Sequence, residues 1–539
     1  MAEVELKLLV PPAQHARLQS RLRAFGVPRV QMVDSVYFDT AARALARAGL
    51  ALRLRRQGRR WLQTLKTGGG EAALATRDEW EVPVAAGRLQ FAALPAAARA
   101  QLRAAGVASA RPLRPVYRTR FRRSAWTVER DGATVELALD DGQIVAGAQR
   151  EPILELELEL KAGPAAALPA LARAIMAPPR RAVLPLLPLG ASKAARGQRL
   201  ADQLPLRAAK ASGARLGEGL RPKLPAGAAL RCVLANGLEV LLANAHGLRR
   251  RDEPEFVHQA RVALRRMRSA LRLLTRDTTV PAALTSELRW IASALGPARD
   301  ADVLVTSTLP AVLAALTAPP SAAQSAAASA AWSAPPSAPP SAPPSAPPSA
   351  EKAGAVRSLL AAARRRRVRG RRLARAAVGS GRFALLALDL LAWTRSPHDE
   401  RERTLRQLAP RRLASAHRRL LRAGRFFAAL PPAEQHAVRI LGKRLRYALD
   451  LFAPALPAPA AAAAANYGAV LAQLQEELGA LNDAAVAAAT LPELSGDAAL
   501  LASARTALAG GRLQQLERVV AVEAGLRALA QTRPPWKAA

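Results

Sequence analysis

The chain has 539 residues, of which 50% are hydrophobic and only 4% aromatic, so its cores must be built mainly from leucine, valine and alanine. Its 80 lysines and arginines outnumber its 41 aspartates and glutamates, and the formal net charge of +39 predicts a polyanionic partner. A single cysteine excludes a disulfide framework and fits a reducing cytoplasm. The sequence contains no uncharged apolar run of about 18 residues, so we expect no membrane span.

The first predicted element is a β-strand, Glu3-Val4-Glu5-Leu6-Lys7. Side chains on a strand alternate between its two faces, so Glu3, Glu5 and Lys7 share one face. Taken alone, this segment fits a solvated edge strand as well as it fits a functional site.

Later predicted strands repeat this alternation with charged residues on one face. The basic positions are Arg53, Arg55, Lys66, Arg118 and Arg120, and the acidic positions are Glu155, Glu157 and Glu159. Clustered carboxylates resist joint ionisation unless a cation lies among them, and arginine forks match phosphate oxygens. If the strands form one sheet closed on itself, the pattern predicts a polyanion site that works through a metal.

These motifs, in this order, resemble those of CYTH domains, the triphosphate tunnel metalloenzymes. The opening Glu3-x-Glu5-x-Lys7 is similar to the family's ExExK motif, and the resemblance covers roughly residues 1–200, ending at Ser192-Lys193. It implies an eight-stranded antiparallel tunnel that binds triphosphate groups with Mg²⁺ or Mn²⁺.

The resemblance also implies roles for single residues. The implied catalytic residues are Glu3, Glu5, Lys7, Glu157 and Glu159; the implied metal ligands are Glu3, Glu5, Glu155, Glu157 and Glu159; the implied phosphate contacts are Arg53, Arg55, Lys66, Arg118, Arg120 and Lys193. Asp140 and Asp141 precede Gly142, and we favour a turn there over a role in the site.

From about residue 225 the sequence predicts helices that contain an internal repeat. One copy has His258, Arg261, Arg265 and Arg268, and the other has His436, Arg439, Lys443 and Arg446. Each set falls on one helical stripe, and each is followed by a predicted turn, Leu295–Asp300 or Leu478–Asp483. Because like charges at this spacing repel and would oppose a metal on the histidines, a linear polyanion is the favoured ligand.

This half resembles the CHAD domain over about residues 225–500. The resemblance implies two four-helix bundles related by approximate twofold symmetry, with a basic channel between them that binds polyphosphate. The Ala/Pro/Ser-rich insertion at 318–352 departs from the family pattern and predicts a disordered or polyproline linker.

The predicted fold class is α+β and multidomain. The predicted parts are a tunnel domain at 1–205, a linker at 206–224, a first bundle at 225–317, the insertion at 318–352, a second bundle at 353–510, and a C-terminal helix and tail at 511–539.

The favoured interpretation is a metal-dependent inorganic triphosphatase that hydrolyses tripolyphosphate to pyrophosphate and phosphate. Its helical half would bind inorganic polyphosphate, and we expect it in the cytoplasm and on polyphosphate granules, with neither a specific nucleic acid nor a membrane span. Thiamine triphosphatase and class IV adenylate cyclase are alternatives on the same tunnel. A non-catalytic granule protein is another, and a nucleic-acid binder is disfavoured because the basic helices lack aromatic platforms.

Overall fold

The computed structural model divides into two compact units. The first comprises Met1–Leu220, Pro225–Ala292 and Arg375–Glu402, and the second comprises Arg221–Leu224, Ser293–Ala374 and Arg403–Ala539. The structure describes residues 2–67, 74–85, 87–110, 112–310, 313, 350–396, 402–490 and 512–537. The predicted insertion at 318–352 therefore lies almost entirely outside the described residues.

An antiparallel sheet of nine strands forms the N-terminal part of the first unit. Its strands are β1 (Ala2–Leu9), β2 (Arg29–Asp39), β3 (Leu50–Gln57), β4 (Arg60–Thr67), β5 (Leu74–Val84), β6 (Arg114–Arg130), β7 (Ala133–Ala146), β8 (Gln149–Ala162) and β9 (Leu187–Pro188). The predicted fold class is confirmed, with one short strand more than the eight predicted.

The strand order brings the inner faces of the sheet around one cavity. The order is β5-β4-β3-β2-β6-β7-β8-β1-β9, and β1 pairs with β5 as well as with β8. Each of the eight long strands thus has a hydrogen-bonded neighbour on both sides. The two-residue strand β9 pairs with Leu8 and Leu9 of β1.

The described chain also contains α-helices. They are α1 (His15–Leu22), α2 (Ala44–Arg47), α3 (Ala96–Ala104), α4 (Ala167–Met176), α5 (Lys193–Ala201), α6 (Gly213–Leu216), α7 (Ala226–Arg250), α8 (Pro254–Leu274), α9 (Ala282–Ala294), α10 (Gly296–Val303), α11 (Ala350–Val378), α12 (Gly381–Arg395), α13 (Leu405–Ala423), α14 (Pro432–Phe452), α15 (Ala458–Thr490) and α16 (Arg512–Gln531). The predicted helical character of the C-terminal half is confirmed.

Strand alternation separates a charged inner face of the sheet from an apolar outer face. Leu6 and Leu8 of β1 and Leu156 and Leu158 of β8 are fully buried, and α4 packs against both strands. On the opposite part of the sheet, α3 covers the buried leucines of β3 and β4. Burial of about 2 kcal/mol per leucine side chain on the outer face therefore fixes which residues face inward.

Helix α5 closes against the inner side of the sheet. The Ser192 hydroxyl caps it by accepting a hydrogen bond from the Ala195 N–H at 3.1 Å. A Cβ at Gly197 would lie 2.3 Å from the Tyr117 ring, so only glycine permits this close approach. The approach buries Lys193 and Arg196 against β7 and β8.

Among the described residues, α7 has the length and mean hydropathy, 1.5, of a helix that could cross a membrane. The bent pair Arg357–Val378 and Gly381–Arg395 passes the same test only when its two helices are taken together. Because α7 packs against α8 and α12, 61% of its apolar window is buried inside the protein. Packing against its neighbours thus accounts for the apolar character of α7.

In the second unit, a buried carboxylate joins α10 to α11. Asp302 is fully buried and accepts hydrogen bonds from Arg367 at 3.0 Å and from Arg371 at 2.8 Å. Arg367 and Arg371 belong to a run of arginines on α11 that begins at Arg364, so this run has a structural part as well as an exposed part.

Candidate active site: a charged cavity inside the sheet

A cavity of about 710 Å³ lies inside the sheet and is lined mainly by charged and polar side chains. Its size falls within the range of about 300–1,000 Å³ that is usual for ligand pockets. The residues singled out from the sequence that line it are Glu5, Lys7, Arg53, Arg55, Lys66, Glu157, Glu159 and Lys193. Alternation along β1, β3, β4 and β8 thus brings acidic and basic motifs that are distant in sequence into one cavity.

Three carboxylates form a row across adjacent strands on one side of the cavity. Glu5 of β1 lies opposite Glu159 of β8, and Glu159 lies opposite Glu136 of β7. Directly opposed side chains have Cβ atoms about 4.5–5.5 Å apart, and like charges at that distance are destabilising without a cation. Lys7 approaches Glu5 at 2.5 Å, and Lys161 approaches Glu159 at 2.6 Å.

Sequence reasoning missed Glu136. Its strand also carries Asp140, which was interpreted as part of a turn together with Asp141 and Gly142. That interpretation is wrong, because all three residues lie within β7 and Asp140 is fully buried. The alternation of Glu136, Ala138 and Asp140 on one face was the signal that would have identified the strand.

The basic wall of the cavity holds Arg53 and Arg55 of β3 and Lys66 of β4. Lys66 pairs with Glu79 at 2.6 Å, and Arg53 contacts the same carboxylate at 3.3 Å. Burial, with the charge of neighbouring Arg53, lowers the pKa of Arg55 to about 10. The Nε atoms of both arginines are buried and lack a hydrogen-bond partner among the described residues. Buried guanidinium donors without acceptors indicate a site for an anionic ligand.

On β6 the structure reverses the predicted face. Arg118 and Arg120 are exposed on the outer side of the sheet, and Arg118 is bound to Asp34 there. Neither lines the cavity, so the prediction that they face the interior is wrong. Arg123 faces inward instead, where it donates to Asp140 and to Glu157. Alternation fixed which arginines share a face but not which face is internal.

Lys193 lies in a cage of three carboxylates. Its ammonium is 2.7 Å from Asp140 and 2.8 Å from Glu157, and it is also bound to Glu155. Burial lowers the pKa of Lys193, but the three carboxylates outweigh it and hold that pKa above its ordinary value. Burial likewise raises the pKa of Glu157, whereas Lys193 and Arg123 together bring it well below the usual range. Lys193 and Glu157 are therefore ionised at neutral pH.

Glu155 does not line the cavity. It is fully buried, and its carboxylate is bound by Lys193 and by Arg196 at 2.9 Å. It belongs to a buried cluster with Asp140 and Glu157 that is close enough to hold an ion, so its role as a metal ligand stays a prediction. Glu155 shares a face of β8 with Glu157 and Glu159, but the closing helix α5 covers this end of the strand.

Two groups of carboxylates offer the oxygen ligands that a hard divalent cation prefers. Asp140, Glu155 and Glu157 lie close enough to share an ion, but the ammonium of Lys193 already holds that position. The row of Glu5, Glu159 and Glu136 instead offers carboxylate oxygens on the cavity wall, which are the ligands that Mg²⁺ and Mn²⁺ prefer. Glu3 lies in β1 two residues before Glu5, and its side chain is outside the described part of the chain.

The first basic line predicted from the repeat lies on α8, in the first unit. His258, Arg261, Arg265 and Arg268 are all half-buried. Arg261 donates to the Ala292 carbonyl at 2.9 Å. Burial and the charge of Arg289 lower the pKa of Arg268. A half-buried line of cations differs from the freely solvated face that would be expected of an ordinary charged helix.

The second basic line lies on α14, in the second unit. His436 and Arg446 are exposed, whereas Arg439 and Lys443 are half-buried. The His436 Nδ1 atom is 2.7 Å from the Asn482 Oδ1 atom, so the histidine of this copy meets the second motif of the same copy. The predicted turn at Leu478–Asp483 is wrong, because this segment lies inside α15. In its counterpart at Leu295–Asp300, only Leu295 forms a turn, between α9 and α10, and the other five residues lie inside α10.

Comparison with known proteins assigns both parts of the chain. Residues 1–187 match the family model of the CYTH domain, and residues 232–492 match that of the CHAD domain. The sheet with its charged cavity is thus a CYTH domain, of a metal-dependent triphosphate-tunnel family. The chain joins this CYTH domain to a CHAD domain.

Individual relatives agree with this assignment. The inorganic triphosphatase of Haemophilus influenzae is 32% identical over 169 residues, which cover 30% of this chain and 46% of that protein. The chain therefore spans about half the length of that curated relative.

Among solved structures, the CHAD domain from the plant Ricinus communis is 27% identical, covers 60% of this chain and 98% of its own, and has a TM-score of 0.46. HpAC1 from Hippeastrum, described as having a dominant triphosphatase activity, is 19% identical, covers 38% of this chain and 97% of its own, and has a TM-score of 0.29.

Proposed function

We propose that the cavity hydrolyses inorganic tripolyphosphate to pyrophosphate and phosphate with a divalent metal. The observation that carries the proposal is the pairing, in one cavity, of a carboxylate row with buried guanidinium donors that lack acceptors. Phosphoryl transfer requires positioning and charge neutralisation more than covalent participation by the protein. The 32% identical inorganic triphosphatase supports the same activity.

The two walls of the cavity divide the work. Arg53, Arg55 and Lys66 bind phosphate oxygens, and the rigid arginine forks fix the orientation of the bound tripolyphosphate. Glu5 and Glu159 would hold the metal. When bound, the metal supplies charge neutralisation at the phosphoryl oxygens and a lowered pKa for bound water.

The aromatic residues of the cavity favour an inorganic substrate over an organic one. Tyr37 and Tyr117 stack on each other with their ring centroids 4.5 Å apart. The Phe121 ring lies beneath Arg123 and Lys193, whose charged groups are 5.5 and 5.0 Å from its centroid. Since all three rings already contact protein groups, a purine or thiamine ring finds no unoccupied aromatic ring among the described residues of the cavity. Thiamine triphosphatase and adenylate cyclase activities are therefore less favoured.

We further propose that the basic lines on α8 and α14 bind inorganic polyphosphate. Each line places cations at successive turns of one helix, which suits a thin polymer with a charge on every unit. Arg265 supports this role, because its Nε atom is buried and lacks a hydrogen-bond partner among the described residues. The CHAD domain match spans both helices.

A phosphate-release panel tests the proposed activity. Purified protein is given tripolyphosphate, ATP, thiamine triphosphate or long-chain polyphosphate, each with Mg²⁺, with Mn²⁺ or with EDTA. We expect metal-dependent release that is fastest with tripolyphosphate. Binding of tripolyphosphate without release under any metal condition would instead favour a non-catalytic polyphosphate protein.

A further inference from the structure

A buried carboxylate connects the CYTH sheet to the first long helix of the CHAD half. Glu151, at the start of β8, is 5% exposed. It accepts hydrogen bonds from Arg196 of α5 at 2.8 Å and from Arg250 of α7 at 3.3 Å, and it is also bound by Arg199 of α5. All four residues belong to the first compact unit. One carboxylate thus holds the closing helix α5 and the end of α7 together.

The contacts continue from this carboxylate into the cavity. Arg196 also donates to Glu155 at 2.9 Å, and Glu155 is bound by Lys193. Lys193 in turn contacts Glu157 at 2.8 Å, and Glu157 lines the cavity opposite Lys7 on β1. Oppositely charged groups therefore alternate without a break from α7 to the cavity wall.

The charges around Glu151 show which residue can be changed without dismantling this network. Burial raises the pKa of Glu151, but Arg196, Arg199 and Arg250 together bring it below its ordinary value, so the carboxylate is ionised. Removing Glu151 would leave three guanidinium groups without their shared partner, a change that is strongly destabilising. Removing Arg250 leaves Glu151 with two cations, and the sheet keeps its fold.

We propose that Arg250 is a positioning residue for the catalytic cavity. It fixes Glu151, which holds α5 and therefore the contact between Lys193 and Glu157. The helical half then forms part of the active-site scaffold instead of being only a separate binding module. Because α8 carries the first basic line and packs against α7, polyphosphate bound there is connected to the cavity by direct contacts. This inference rests on the proposed triphosphatase function.

The test compares Arg250→Met with Arg251→Met in the full-length protein. Arg251 is the next residue, and it pairs with Glu253 at 2.7 Å where both side chains are 44% exposed, so it provides a matched loss of charge. Hydrogen–deuterium exchange of the peptide that covers residues 193–201 reports the stability of α5 directly. Steady-state hydrolysis of tripolyphosphate gives kcat and KM, and thermal unfolding checks the global fold.

We expect Arg250→Met to raise exchange in α5 and to lower kcat about threefold to tenfold, with KM changed less than about twofold. Arg251→Met should change neither quantity, and Arg250→Lys should restore part of the lost kcat because it retains the charge. An α5 exchange rate in Arg250→Met equal to that in Arg251→Met would overturn the proposal. If the wild-type protein releases no phosphate, the proposed function fails, but the exchange comparison still decides the role of Arg250.

Discussion

Arg55 and Arg118 offer a sharp comparison, because the sequence assigned both to phosphate binding and the structure separates them. The Arg55 side chain is 19% exposed and lines the cavity, whereas the Arg118 side chain is 55% exposed and bound to Asp34 on the outer face. We therefore expect Arg55→Lys to impair tripolyphosphate hydrolysis and Arg118→Lys to leave it within about twofold of wild type.

The size of the expected loss at Arg55 follows from the hydrogen bonds of its guanidinium. Lysine keeps the charge but loses the fork, and a hydrogen bond to a charged group contributes about 1.5–3 kcal/mol. At 1.36 kcal/mol per factor of ten, kcat/KM should fall about tenfold to a hundredfold. The assay is steady-state phosphate release from tripolyphosphate with Mg²⁺.

The pH dependence of the Arg55→Lys protein gives a second readout. Burial and Arg53 lower the pKa of Arg55 to about 10, and the same surroundings would lower the pKa of a lysine from its ordinary value of about 10.4. A lowered pKa means that the lysine loses its charge as pH rises, so the deficit should grow between about pH 7 and 9. Equal activity of the Arg55→Lys and Arg118→Lys proteins across this pH range would refute the assignment of Arg55 to phosphate binding at the basic wall of the cavity.

Two other predictions concern the metal and the polymer. Glu5→Gln removes a metal-facing charge with little change of shape, so we expect triphosphatase activity to fall at least about a hundredfold while the protein stays folded. The affinity for Mn²⁺, measured by titration, should fall as well. Normal Mn²⁺ affinity would exclude Glu5 as a ligand. The second prediction compares two double variants for binding of long-chain polyphosphate in competition with single-stranded RNA. The variant with Arg265→Gln and Arg268→Gln should lose more polyphosphate binding than the variant with Arg364→Gln and Arg365→Gln. Equal losses would indicate only a nonspecific basic surface.

The sequence predicted the sheet and much of its inner wall because strand alternation is a local property. Glu5, Arg53, Lys66 and Glu159 are each directly adjacent in sequence to a leucine that is buried on the outer face. When Leu6 and Leu8 of β1 pack beneath α4, the charged residues that alternate with them must face the interior of the sheet. Burial of the apolar face therefore decided these positions.

The inward face of strand β6 could not be predicted in this way. Its inward residues include Thr119 and Phe121, and its outward residues include Arg118 and Arg120, so local hydrophobicity does not clearly mark one face as internal. The face is set by pairing with β2, in which Tyr37 lies opposite Tyr117. Such pairing between strands far apart in sequence has no local signal.

The cage around Lys193 was equally hidden. Nothing in the alternation of β8 distinguishes Glu155 from Glu157 and Glu159, yet α5 buries the first and leaves the other two on the cavity wall. The distinction depends on where a helix more than 30 residues later returns to the sheet. The same helix shares the carboxylate of Glu151 with Arg250, which lies outside the CYTH match.

The most direct test of the account is the product balance of one reaction. Phosphorus NMR of tripolyphosphate incubated with the wild-type protein and Mg²⁺ should show pyrophosphate and phosphate appearing in equal amounts. The Glu5→Gln protein, and the wild-type protein in EDTA, should leave the substrate intact. Equal conversion with and without the metal, or no conversion by the folded wild-type protein, would contradict the central claim that the charged cavity is a metal-dependent triphosphatase site.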